Sequence, residues 1–280
     1  MTTTTSSLLN IRPNFFYDKV INWFPGHMAK GLRIISEKMS SIDVIVEARD
    51  ARIPISSINK KFEEVANVKE RIIVYNKCDL AEESSQDIIT KAFEKYRNQK
   101  VLFTNANMDR NIKTIINIAA NKARENPQKY PFVTVMVVGM PNVGKSSIIN
   151  SMRRLGVHRG KAARTGANPG ITRAVSNTTI KVLENPTVYL IDTPGVMIPH
   201  IPDPVCSLKV ALTGGIMDHL SDEEVIADYL LWRLNNFSNF GYVEKFKLPG
   251  PTDDVNVLLP AVSKRIGALH KQGCLRLSGT

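Results

Sequence analysis

The stretch VTVMVVGMPNVGKSS, residues 133–147, constrains this chain more than any other. A β-branched run ends at Gly139, and five residues later Gly144-Lys145-Ser146 opens a segment with helical spacing. Gly-x4-Gly-Lys-Ser between a strand and a helix is the pattern of a phosphate-binding loop. Gly139 and Gly144 let the backbone curl so that its N–H groups face phosphate oxygens. Lys145 is placed to bridge β- and γ-phosphates and Ser146 to hold Mg²⁺. Asn142, Val143 and Ser147 complete the expected nucleotide-contacting loop.

Such a loop needs a parallel sheet around it, and the chain supplies one. The runs 43–50, 71–77, 100–105, 133–139, 177–183 and 187–192 read as strands, most of them nearly continuous apolar runs suited to burial on both faces. Segments 57–67, 84–98, 109–125 and 145–155 have helical length and spacing. The alternation predicts a mainly parallel α/β sheet flanked by helices. Glu184-Asn185-Pro186 between the last two runs predicts one antiparallel hairpin. Beyond Pro204 no strand of comparable strength follows. SDEEVIADYLLWRL reads as a helix opening on a Ser221/Glu224 capping box, so a small, mostly helical C-terminal domain is expected.

Four further stretches belong with the phosphate loop. Asp192-Thr-Pro-Gly195 ends a strand: Asp192 is placed to reach Mg²⁺ and the Gly195 N–H to sense a γ-phosphate. Asn76-Lys77-Cys78-Asp79 follows another strand. The Asp79 carboxylate can accept from both N1–H and the 2-amino group of guanine, with Lys77 over the ring and Asn76 bracing the neighbouring loop. In TNAN, 104–107, Asn105 and Ala106 can present backbone to the guanine oxygen. Thr172 in NPGITRA is the candidate switch residue, meeting both Mg²⁺ and the γ-phosphate. GTP and GDP are therefore the expected ligands. The order is rotated: the base-reading motifs precede the phosphate loop. A circular permutation accounts for this without breaking up the site, because domain termini often lie close together. One feature is missing from DTPGV: Val196 stands where Ras-type switches place a water-orienting glutamine.

Composition narrows the partner. The formal net charge is +11 over 280 residues. No acidic residue occurs from Asn126 to Leu183, while nine lysines and arginines do; after Asp254 the chain is again free of acids. Such blocks favour a polyanion, either nucleic acid or an anionic membrane surface. No apolar run approaches the ~18 residues of a membrane-spanning helix. Cys78, Cys206 and Cys274 are widely spaced and read as free thiols. The hydroxyl-rich start, with no acid before Asp18, reads as a mitochondrial presequence or extension.

The permuted signatures, together with WFPGHMAKG (23–31) and DARIPISS (50–57), resemble the circularly permuted GTPases of ribosome assembly. The type is that of ribosome biogenesis GTPase A, and GITRAV, DTPGV, DHL, ADYLL and FGYV resemble its mitochondrial branch. The resemblance implies a P-loop G domain over 22–205, preceded by an extension over 1–21. A helical domain for RNA and ribosome binding would follow over 206–280. It implies a slow GTPase, monomeric when free, that acts on rRNA and proteins of the large mitochondrial ribosomal subunit beside other assembly factors. The implied location is the matrix, with peripheral association at the inner membrane. It transfers the water-positioning role to His27, in place of Val196, and a K⁺ site to Asn142, with Lys145 and Thr172 completing the catalytic set. Family members usually continue past GCLRLSGT, so the resemblance implies a shorter form or a truncated chain. A membrane- or protein-directed switch and a non-catalytic GTP-binding scaffold are the alternatives.

Overall fold

The computed structural model describes residues 11–19, 33, 35–59, 69–97, 99–158, 179–193, 201, 203–216 and 222–267. The chain forms two compact units: Val20–Met217, and Met1–Lys19 together with Asp218–Thr280.

The first unit is built on a six-stranded sheet: β1 (Val44–Asp50), β2 (Glu70–Asn76), β3 (Val101–Thr104), β4 (Phe132–Gly139), β5 (Ile180–Leu183) and β6 (Thr187–Asp192). The spatial order is β3-β2-β1-β4-β6-β5, parallel throughout except for the β5–β6 hairpin. This is the mainly parallel sheet and single hairpin that the alternation of apolar runs predicts. β1 is buried along its whole length, as befits a strand flanked on both sides. Helices of this unit include α1 (Glu83–Arg97), α2 (Ile112–Glu125), α3 (Lys145–Val157) and α4 (Pro204–Leu212). Ile112, Ile115, Ile116, Ala119, Ala120 and Ala123 give α2 one buried stripe. α4 opens with Asp203 accepting from the Val205 N–H at 2.9 Å and with Pro204 in its first turn, where a missing N–H costs nothing. α4 thus belongs to the first unit, and the division falls after Met217. The expected helix over 57–67 lies mostly outside the described residues; 51–57 form turns.

One sheet face is sealed by Ile35, Ile42, Ile45, Met136, Val138 and Ile191. Around β2 and β3, Ala51, Ile73, Tyr75, Cys78 and Phe103 pack with Ile89 and Phe93 of α1. Besides Asp50 at its end, β1 carries two charges, Glu47 and Arg49, into the interior. Arg49 Nε donates to Glu47 Oε1 at 2.6 Å, Arg71 Nη1 donates to Glu47 Oε2 at 3.2 Å, and Arg49 Nη1 donates to the Tyr75 hydroxyl at 3.2 Å. Residues i and i+2 of a strand share a face, so the two charges reach each other without leaving the strand.

The second unit comprises α5 (Glu223–Asn236), α6 (Gly241–Phe246), α7 (Val255–Ile266) and an N-terminal strap over 11–19. Leu231, Tyr242 and Leu258 form its core with Leu234, Val243, Phe246, Val255 and Val262. The Tyr242 hydroxyl donates to Asn235 Oδ1 at 2.8 Å and accepts from the Thr252 N–H at 3.0 Å. Asp222 caps α5, its carboxylate accepting from the Val225 N–H; Ser221 of the expected capping box lies outside the described residues. An anionic oxygen at that end is favoured both as a cap and by the helix dipole. The strap is fastened by Arg12, whose guanidinium grips Asp228 through two bonds (2.9 and 2.7 Å) and Asp253 through Nε (3.0 Å). Trp232 Nε1 donates to the Arg12 carbonyl at 2.8 Å, and the Phe15 ring meets Tyr229 edge-on at 5.1 Å.

Candidate nucleotide site

The carboxyl ends of β1, β2, β3 and β4 meet at one edge of the sheet, where open α/β sheets bind ligands. β4 runs into Gly139, whose φ of +148° brings it so close to β1 that a Cβ would lie 2.2 Å from the Ala48 carbonyl oxygen. The loop turns through Asn142 (φ 57°) and reaches Gly144 at φ +95°, the N-cap of α3. The first turn of α3 carries no acidic residue, and the cap makes no side-chain hydrogen bond. Its N–H groups and positive dipole end therefore suit an anion. Lys145 is buried and folds back so that Nζ donates to the Met140 carbonyl at 2.9 Å, across the hollow of its own loop. Ser146 and Ser147 follow in the same turn.

Asn76 joins this loop to the base-reading segments. Its Nδ2 donates to the Val143 carbonyl at 2.9 Å, while its Oδ1 accepts from Thr104 Oγ1 and the Ala106 N–H, each at 3.1 Å. One buried amide thus holds three separate stretches of chain in register. A Cβ on Gly144 would sit 2.3 Å from Asn76 Nδ2, so that glycine is also what admits the bracing side chain. A guanine oxygen meeting the Ala106 N–H would share it with Asn76. Lys77 is left-handed at φ 61°, and its ammonium donates to the Asn142 carbonyl and to Asp50 Oδ2 at 3.1 Å. Burial lowers the Lys77 pKa, with Asp50 opposing. Cys78 is buried, which pushes its thiol pKa up, and Asp79 lies exposed in the short turn Cys78–Leu80. In the TNAN loop, Asn105 Oδ1 accepts from the N–H groups of Asn107 (3.0 Å) and Met108 (3.1 Å), and its backbone pairs with Arg110.

Several positions add to the expected set. Asp50 accepts from the Arg52 N–H at 3.0 Å, Nε at 2.9 Å and Nη2 at 2.7 Å, as well as from Lys77. Burial would raise the Asp50 pKa, but the Arg52 bonds and the Lys77 charge outweigh it and hold the carboxyl below the ordinary aspartate value. Arg52 Nη2 also donates to the Thr213 carbonyl at 3.2 Å, and Asn142 Nδ2 to the Gly214 carbonyl at 2.7 Å. Asp109, after the TNAN loop, bonds Ser151 and Arg154 of α3. Thr193 of DTPG is buried, and its Oγ1 donates to the Val137 carbonyl at 2.6 Å, pinning that motif to β4. None of these has a spacing that announces it: DARIPISS marks a resemblance but no ligand pattern.

β6 delivers Asp192 opposite Val137 in the parallel ladder. The Asp192 side chain and His27, Thr172, Gly195 and Val196 lie outside the described residues. Among the described residues no group of three or more His, Cys, Asp or Glu could hold a metal ion by itself. Among them, too, no helix is long and apolar enough to cross a membrane.

The loop pattern after β4, preceded in sequence by the motifs expected to read guanine after β2 and β3 of the same parallel sheet, defines a circularly permuted P-loop GTPase. Residues 134–236 match the family described as 50S ribosome-binding GTPase. The chain is 44% identical to mitochondrial ribosome-associated GTPase 1 of Mus musculus, covering 93% of this chain and 81% of that relative. It is 40% identical to mitochondrial ribosome-associated GTPase 1 of Xenopus tropicalis, over 95% of this chain and 86% of the relative. The fold is shared with the GDP-bound structure of TM YlqF at a TM-score of 0.50 and 22% identity, covering 88% of this chain and 98% of that one. The chain belongs to the mitochondrial ribosome-associated GTPase 1 family. It is an enzyme of that class, a GTPase.

Proposed function

We propose that this chain is a mitochondrial GTPase that binds rRNA of the large ribosomal subunit, promotes its late maturation, and hydrolyses GTP faster when that subunit is present. The observation that carries the nucleotide part is the Asn76 side chain, which binds the phosphate loop and both base-reading segments into one site. In that site Asp79 accepts from guanine N1–H and the 2-amino group, and the Lys77 stem lies along the ring. Lys145 leaves the Met140 carbonyl to meet the β- and γ-phosphates, against which α3 presents its N–H groups. Ser146, in the acid-free first turn of α3, fits Mg²⁺ binding together with Thr172 and Asp192. Mg²⁺ there supplies neutralisation of the phosphate charge. K⁺ beside Asn142 supplies further positive charge at the phosphates.

His27 orients the attacking water where Val196 has no side-chain donor or acceptor, and the Gly195 N–H reports the γ-phosphate. An imidazole can accept from water near neutral pH. The acid-free block over 126–183 supports a polyanionic partner, and the relatives' names support ribosome association in mitochondria. The protein is a monomer when free and acts in the matrix, with peripheral contact to the inner membrane and in the company of other assembly factors.

Phosphate release measured with and without purified large mitoribosomal subunits tests the reading. Slow turnover alone and a rise on adding subunits are expected; equal rates would overturn subunit stimulation. Retention of the stimulated rate by His27→Ala would remove His27 from the chemistry. Crosslinking to lipid or protein but never to rRNA would move the function to a membrane- or protein-directed switch.

A further inference from the structure

We propose that Asp50 is a positioning residue for guanine recognition: its carboxylate fixes the ammonium of Lys77 so that the lysine stem is held where the base must lie. This rests on the guanine-nucleotide reading above. Lysine is a poor platform unless something holds its end, because a free four-carbon stem samples many rotamers. Here the Nζ has two anchors, the Asn142 carbonyl and Asp50 Oδ2 at 3.1 Å. The Asn142 carbonyl belongs to the phosphate loop. Asp50 is the anchor that comes from a third strand.

The carboxylate is itself oriented. The Asp50 side chain is only 3% exposed, and its two oxygens have different tasks. Oδ1 accepts from the Arg52 N–H and Nε, whereas Oδ2 accepts from Arg52 Nη2 and from Lys77. The guanidinium fork fixes the plane of the carboxylate, which aims Oδ2 at the lysine. Arg52 is held in turn by the Thr213 carbonyl at 3.2 Å. A residue serving only to brace the turn after β1 would need Arg52 and no contact with Lys77. Burial and the Arg52 charge both disfavour the Lys77 ammonium, and the Asp50 carboxylate opposes them.

The test is a double-mutant cycle read by GDP affinity, using the full chain titrated with a fluorescent GDP analogue and with the corresponding ADP analogue as a control. Wild type is expected to bind the GDP analogue and not the ADP analogue; failure there overturns the guanine reading itself. Asp50→Asn and Lys77→Met are each expected to weaken GDP binding about tenfold, the scale of a lost charge-assisted bond. In the Lys77→Met background, Asp50→Asn is expected to have no further effect, because Asp50 acts through that ammonium. Multiplying effects in the double variant, or wild-type affinity in Asp50→Asn, would overturn the role of Asp50 while leaving guanine binding intact. If Asp50→Asn does not fold, Arg52→Lys is the second probe, since it keeps the charge but loses the fork. It is expected to weaken GDP binding about threefold, again only when Lys77 is present; the same loss without Lys77 would overturn the proposal.

Discussion

The Asn76 amide donates to the Val143 carbonyl at 2.9 Å across 67 residues of chain. That bond fastens the Asn76–Asp79 segment to the loop between β4 and α3, and the Asn76 oxygen holds Thr104 and Ala106 at the same time. Asn76→Ala therefore leaves three buried polar groups without their partner. A loss of about 3 kcal/mol in urea unfolding is expected, since each unsatisfied buried group costs about 1–3 kcal/mol and the loop relaxes in part. GDP affinity is expected to fall by more than tenfold in the same protein. Wild-type affinity in Asn76→Ala would show that the loops hold their register without it.

The buried charges of β1 give a second prediction. Glu47 is the acidic partner of both Arg49 and Arg71, and Arg49 is fully enclosed. Glu47→Leu removes the carboxylate that both Arg49 and Arg71 bond inside the fold and is expected to cost about 3–5 kcal/mol. Glu47→Leu combined with Arg49→Met removes both charges and is expected to be more stable than the single variant. Denaturant midpoints of the two variants check this, and a double variant less stable than the single one contradicts it.

A third prediction concerns pH and the strap. Burial would raise the Asp253 pKa, but Arg12, through its side chain and its backbone N–H, outweighs burial and holds the value below that of an ordinary aspartate. A depressed carboxyl contributes stability above its unfolded value of about 3.9 and loses that contribution as pH falls through the folded value. Unfolding of the helical unit, followed by Trp232 fluorescence, should therefore show a contribution from Arg12 at pH 7 that fades in strong acid. At neutral pH Arg12→Ala is expected to cost about 1–2 kcal/mol, the partial exposure of the arginine limiting its worth. An equal cost of the substitution at pH 7 and in strong acid would contradict this origin.

The fourth prediction is steric. Gly156 in α3 lies against β5, and a Cβ there would come within 1.7 Å of the Val182 carbonyl oxygen. Backbone must move to admit it, so Gly156→Ala is expected to cost about 3 kcal/mol or more. Soluble yield and melting temperature provide the readout; a wild-type melting temperature contradicts it.

The parts written as local pattern were legible in the sequence. β4, the phosphate loop and α3 follow from one uninterrupted stretch, and the β5–β6 hairpin follows from Asn185-Pro186 between two apolar runs. What was not legible depends on residues that meet from far apart. Asp50 and Arg52 carry no periodicity, and their partners Lys77 and Thr213 come from other elements. Glu47 and Arg49 interrupt an apolar strand, and only the register that brings Arg71 and Tyr75 alongside shows why they can be buried. Ile11–Lys19 lies within the stretch whose composition reads as an extension, yet Arg12 is bonded to residues 216 and 241 positions away.

The strap has a consequence for how the polypeptide is made. Arg12 leaves the translating machinery 220 residues ahead of the Trp232 indole that caps its carbonyl. At synthesis rates of about 5–20 residues per second, this is a wait of about 10–40 s. Until Asp228 is made Arg12 has neither of its carboxylates and Phe15 neither of its rings, while the whole of Val20–Met217 is delivered. The inserted unit can be complete before the unit that brackets it has its second half, so Arg12 and Phe15 are among the last residues to find their place.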